Sequence, residues 1–120
     1  TVPLIPPKVA TVQLPSEGSA AEIAQNILGD DVRVVSAFQN ISAELLQSDK
    51  EIDCDVLVCG NKKEWRQEVI DLVNALGMKG WHAGMLPNSA AVEAMTSVLI
   101  SINKHHAISH SGIKVTGLKK

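Results

Sequence analysis

The 120-residue chain has no tyrosine, one phenylalanine and two tryptophans. So few rings leave no stacking platform of the kind that single-stranded nucleic-acid binders use. Net charge is −2, so no basic field favours nucleic acid or an anionic membrane. No apolar run approaches the ~20 residues of a membrane span, and no signal-peptide pattern is visible. Cysteine is scarce: Cys54 and Cys59 lie five apart on an expected strand, which puts them on opposite faces. Neither a disulfide nor a shared metal follows from that spacing, and both are expected to be packed thiols of a reduced cytoplasm. The eight glycines nowhere form Gly-x-Gly-x-x-Gly, the dinucleotide fingerprint. Internal repeats and low-complexity segments are lacking as well.

What remains is an ordinary globular composition, 45% hydrophobic and 20% charged, with enough chain for one modest core. Val2 to Ile5 is a short apolar piece stopped by Pro6-Pro7. Ser19 to Glu22 reads as a capping box that opens a helix carrying Ile23, Ile27 and Leu28 and ended by Gly29. Val32 to Phe38 is a β-rich run, and Ala43 to Gln47 a short helix. Cys54 to Cys59 is a second strand, closed by Gly60. Asn61 to Glu64 reads as another capping box, before a helix marked by Trp65, Val69, Leu72, Val73 and Leu76. Lys79 to Ala83 is a strand, and Gly112 to Gly117 a last short one. Strands alternating with helices predict an α/β sheet, whose ligands collect beyond the carboxyl ends of its strands.

The longest signal runs from Ala83 to Asn103. Gly84 and Pro87 mark a turn, and Asn88 or Ser89 can cap the helix that follows. Val92, Met95, Val98, Leu99 and Ile102 give that helix one apolar stripe. Ala90, Ala91 and Ala94 keep its first turns thin, so a ligand could approach the free N–H groups there. On pattern alone, a core helix that happens to begin with alanines is the plainer reading.

Other candidates carry little chemistry. His105, His106 and His110 fit no familiar metal spacing and sit where a helix C-terminus favours basic groups. His82 reads as a strand histidine facing solvent. Ser36, Ser42 and Ser89 have no histidine–carboxylate partners in a known motif. Asp53 and Asp55, flanking Cys54, are expected to be solvated.

Val34-Val35-Ser36-Ala37-Phe38-Gln39-Asn40-Ile41-Ser42-Ala43, Cys54 to Gly60, and Ala83-Gly84-Met85-Leu86-Pro87-Asn88-Ser89 together resemble a known family. It is the NADPH-dependent reductases of coenzyme F420, an 8-hydroxy-5-deazaflavin. Thr96 to Asn103 and Gly112 to Gly117 continue the resemblance, which covers nearly the whole chain but only the C-terminal part of the family's length. It implies a Rossmann-type sheet extended by strand–helix–strand–helix, with a final short strand. Residues 1–50 would be the last strands and helix of the NADP-binding domain, whose glycine loop would lie before Thr1. Residues 51–120 would be an extension lining the second-substrate cleft.

The resemblance further implies that Val2, Pro3, Leu4 and Pro6, with the turn from Gln39 through Asn40 and Ile41 to Ala43, approach the nicotinamide of NADP. Met85, Leu86, Asn88, Ser89 and Thr96 would wall the deazaflavin cleft. The ring is expected between Gln39–Ile41 and Met85–Ser89. Hydride would pass directly between nicotinamide and deazaflavin, so no catalytic acid or base and no metal are expected. Partners would be these small-molecule cofactors and a second copy in a cytoplasmic homodimer, with neither nucleic acid nor membrane. The chain carries Gln39, Ala90 and Ala94 where some members have His, Arg and Ser. A ferric-reductase-like or pyrroline-carboxylate-reductase-like protein, or a non-catalytic binding module, is the competing reading.

Overall fold

A computed structural model describes residues 2–117 of the chain. The elements run α1 (Ala20–Leu28), β1 (Val35–Ser36), α2 (Ala43–Leu46), β2 (Asp55–Gly60), α3 (Lys63–Ala75), β3 (Lys79–His82) and α4 (Ser89–His106). The strands form one mixed sheet in the order β1-β2-β3, with β2 antiparallel to β1 and parallel to β3. Val32–Phe38 and Cys54–Cys59, both read as β runs in the sequence, are therefore paired through β1 and β2.

β2 is central because its run of apolar residues can be covered on both faces. Val56, Val58 and Cys59 are buried, each Val contributing about 1.5–3 kcal/mol. The two valines pack with Ile41, Ile70, Val73 and Met78. α3 follows β2 and returns to β3, covering the sheet with Ile70 and Val73. Gly80 lets it come close: a Cβ there would stand 3.2 Å from Ile70.

Several expected features differ. β1 is short because Phe38 turns into the left-handed region at φ 69 and starts a turn closed by Ile41 N–H to Phe38 O. Residues 112–117 form no strand. Asp55 N–H reaches Ile113 O at 2.7 Å, but Val115 N–H goes to the Asp55 carboxylate instead of a strand carbonyl. Half of the first capping box forms: Ser19 Oγ accepts from Glu22 N–H, but the Glu22 carboxylate does not return a bond to Ser19 N–H. The second does not: Lys62 stands at the cap position, and Asn61 Oδ1 accepts from Leu86 N–H instead. Neither Asn88 nor Ser89 caps α4 with its side chain, because a 3-10 turn (Leu86–Asn88) runs directly into the helix. Leu72 and Leu76 lie outside the core, each 57% exposed, and Ile70 takes the inward position. Asp55 is buried rather than solvated, accepting from Trp81 Nε1 and Val115 N–H, while Asp53 is exposed and pairs with Lys114.

Among the described residues, no helix is long and apolar enough to cross a membrane, and no cluster of His, Cys, Asp or Glu could hold a metal ion.

Candidate functional site

The turn after β1 is fixed against α4 by polar contacts. Thr96 Oγ1 donates to Gln39 O at 2.8 Å, and Asn40 Nδ2 donates to Val92 O at 3.0 Å. Asn40 is buried, so these bonds stand in a low-dielectric setting where losing one is costly. A hollow of about 180 Å³ opens between this turn and α4. Gln39, Asn40 and Ile41 form one wall, Thr96, Leu99 and Ile100 the other. Gln39 also borders a hollow beside Ala20, Ala21 and Glu93, and its Oε1 is buried with no hydrogen-bond partner among the described residues. At the rim, His110 Nε2 lies 3.3 Å from Glu44 Oε1.

The loop after β3 is built differently. Gly84 adopts φ 108, and a Cβ there would run into Asn88 Nδ2. Asn88 Nδ2 donates to Ala83 O at 2.8 Å, folding the loop on itself. Leu86 is inserted into the interior at 2% exposure, with its N–H on Asn61 Oδ1. Ser89 is buried and shares a 2.7 Å hydrogen bond with Ser36 on β1. Met85 remains exposed, and Met85, Leu86 and Pro87 line a separate hollow of about 240 Å³ against Glu22 and Gln25 of α1.

The structure thus brings Gln39, Asn40, Ile41 and Thr96 together, and holds Met85, Leu86, Asn88 and Ser89 on a neighbouring loop that faces another hollow. Leu86 and Ser89 are supports beneath the surface rather than exposed walls. Ala43 is exposed at the start of α2. Val2, Pro3 and Leu4 are half-buried, Pro6 is exposed, and none of them lines either hollow.

The sequence reading missed two residues. Glu93 is 1% exposed, and its carboxylate accepts from Ala20 and Ala21 N–H at 2.7 and 3.0 Å, capping α1 from α4. It is the one charged side chain between Ala83 and Asn103, and that isolation was the available signal. Arg66 donates to Gly60 O and Gly84 O, tying together the ends of β2 and β3; its place among polar neighbours on α3 gave no such hint. Both cysteines are free. Burial pushes the Cys59 thiol up, against the opposing effect of hydrogen bonds from Ser89 and Ser36. Burial, then the Asp53 charge, pushes Cys54 up too. Thiols so held are poor nucleophiles.

No family model matches the chain. Curated relatives do. The F420-dependent NADP reductase of Methanocaldococcus jannaschii is 41% identical over 114 residues, 93% of this chain and 51% of its own length. The F420-dependent NADP reductase of Methanothermobacter thermautotrophicus is 35% identical over 105 residues, 85% of this chain and 45% of its own length. That of Methanothermobacter marburgensis is 35% identical over 105 residues, with 47% of its length covered. The chain spans about half the length of the curated relatives it matches. Over nearly all of its own length it is therefore similar to F420-dependent NADP reductases, as its motifs imply.

Proposed function

We propose that this chain contributes the second-substrate side of an oxidoreductase that transfers hydride between NADP(H) and coenzyme F420. The observation that carries the reading is the 41% identity to an F420-dependent NADP reductase across 93% of the chain. In this reading residues 1–50 complete an NADP-binding Rossmann-type domain, and residues 51–120 extend it along the cleft. The βαβ unit β2-α3-β3 is compatible with such a sheet.

The residues fit a flat ring with a polar edge. The free Gln39 Oε1 answers an N–H donor, Ile41 and Leu99 offer apolar contact, and about 180 Å³ admits part of a ring system. When bound, coenzyme F420 supplies the ring carbon that gives or takes the hydride. Gln39, Asn40, Ile41 and Thr96 hold the first hollow, and in this reading the cleft continues from there to the loop of Met85 and Asn88, beside the hollow against Glu22 and Gln25. Leu86 and Ser89 fix that loop from below. Val2, Pro3, Leu4, Pro6 and Ala43 lie on the nicotinamide side. None of these residues has to move a proton, so their work is position and exclusion of water. A cytoplasmic homodimer with small-molecule partners, and with neither nucleic acid nor membrane, completes the reading.

Separate calorimetric titrations with coenzyme F420 and NADPH test it. Coenzyme F420 should bind measurably. NADPH should bind weakly, because no Gly-x-Gly-x-x-Gly in the sequence cradles its pyrophosphate. Micromolar NADPH affinity, or no binding of coenzyme F420, overturns this division of labour.

A further inference from the structure

Arg66 stands in the first turns of α3, directly behind two strand ends. Its Nη1 donates to Gly60 O at 2.6 Å and to Gly84 O at 3.2 Å. Its Nε donates to His82 Nδ1 at 3.2 Å, and His82 Nε2 lies 3.1 Å from Gln67 Oε1. A guanidinium has donors only, so Nδ1 must accept. The imidazole proton therefore sits on Nε2 and is given to Gln67 Oε1, which makes His82 neutral in this arrangement. Gly60 and Gly84 are themselves joined, Gly60 N–H to Gly84 O at 3.0 Å. Arg66 thus clamps the root of the loop that carries Met85 to Ser89.

A proton on His82 Nδ1 would replace this acceptor with a donor facing a cation. The charges that bear on His82 are Arg66 and Lys63, both cations on α3. Gln67, also on α3, is uncharged and offers one oxygen. His82 is exposed at the end of β3, and the slight desolvation left there, then these two cations, hold it below its usual range. The sign follows from linkage. With the folded value depressed, the stabilisation is fully present above the unfolded value of about 6.5 and is lost as pH falls through the folded one.

We propose that Arg66 is a positioning residue for the Gly84–Ser89 loop and that neutral His82 sets its grip, so that protonating His82 loosens the loop. The functional meaning rests on the reading that this loop faces the second-substrate cleft; the clamp itself can be tested without that activity.

Amide hydrogen exchange on the full chain, corrected for the intrinsic pH dependence, reads the clamp at Gly60 and Leu86. Protection of both amides in the wild type should fall about tenfold between neutral and mildly acid pH. His82→Gln keeps an acceptor for Arg66 without a titration, so its protection should stay flat. Arg66→Gln should leave both amides poorly protected at every pH, while Val58 in central β2 stays protected. A flat wild-type profile, or a His82→Gln profile as steep as the wild type, overturns the proposal. Should Arg66→Gln fail to fold, the His82→Gln comparison still decides. Coenzyme F420 titration of the same samples separates the two readings. Clamp behaviour as expected without any binding would remove the cleft assignment and leave the clamp standing.

Discussion

Glu93 shows how much one buried charge can organise. A carboxylate at 1% exposure is costly unless every lone pair is answered. Here both oxygens are answered by the first N–H groups of α1, and Ser19 Oγ takes the N–H of Glu22. The negative charge also lies at the positive end of the helix. One residue therefore joins α4 to α1 across more than 70 positions of chain. Glu93→Ala leaves the buried Ala21 N–H and the part-buried Ala20 N–H unpaired, and should cost about 3 kcal/mol in urea unfolding. Glu93→Gln keeps one acceptor and should cost about 1–2 kcal/mol, with faster exchange at Ala20 or Ala21. A loss under about 0.5 kcal/mol in Glu93→Ala would mean that water or another group satisfies α1 once the carboxylate is gone.

At the scale of elements, α1, α3 and α4 were legible because helical spacing and glycine stops are local signals. β2 was legible because its apolar run cannot lie at a surface. What escaped depends on distant partners. The last expected strand fails because Asp55 competes for it, spending its carboxylate on Val115 N–H and Trp81 Nε1. No window around Gly112–Gly117 contains that fact. Asn61 looked like a cap because its local spacing was right, yet Leu86 N–H, 25 residues on, claims its side chain. The candidate turn at Gln39–Ile41 was visible from its place after a strand. Its bond to Thr96 and the free Gln39 oxygen were not, since both depend on how α4 lies across it. Asp55 gives a direct check. Asp55→Ala removes the acceptor for both β3 and the C-terminal segment, and should cost about 2–3 kcal/mol. The Trp81 indole would lose its 2.9 Å partner, so its emission should shift while Trp65, in the first turn of α3, reports little. A stable Asp55→Ala protein with unchanged emission would show that this carboxylate does not anchor the segment.

For the whole molecule, the buried face of α4 is the unexpected one. The apolar stripe was expected inward, but Met95, Val98 and Ile102 are 39%, 41% and 37% exposed, with Ala91 exposed as well. Of that stripe only Val92 and Leu99 turn inward, joined by Ser89, Glu93 and Ser97. Polar groups go inside because each has a partner there, as Glu93 and Ser89 show. Positions 91, 95, 98 and 102 recur at steps of four, three and four, the spacing at which one helix seats against another along a narrow seam. A second copy presenting the same seam would satisfy it under two-fold symmetry, in keeping with the proposed homodimer. Sedimentation should therefore show association that strengthens with protein concentration. Val98→Lys, at a site open enough to accept the charge without unfolding, should shift the distribution to monomer and leave the unfolding midpoint of dilute protein nearly unchanged. A wild-type monomer at all concentrations, or a Val98→Lys protein that associates as before, would place the contact elsewhere or remove it, because a desolvated lysine in the middle of an apolar seam cannot be neutral to assembly.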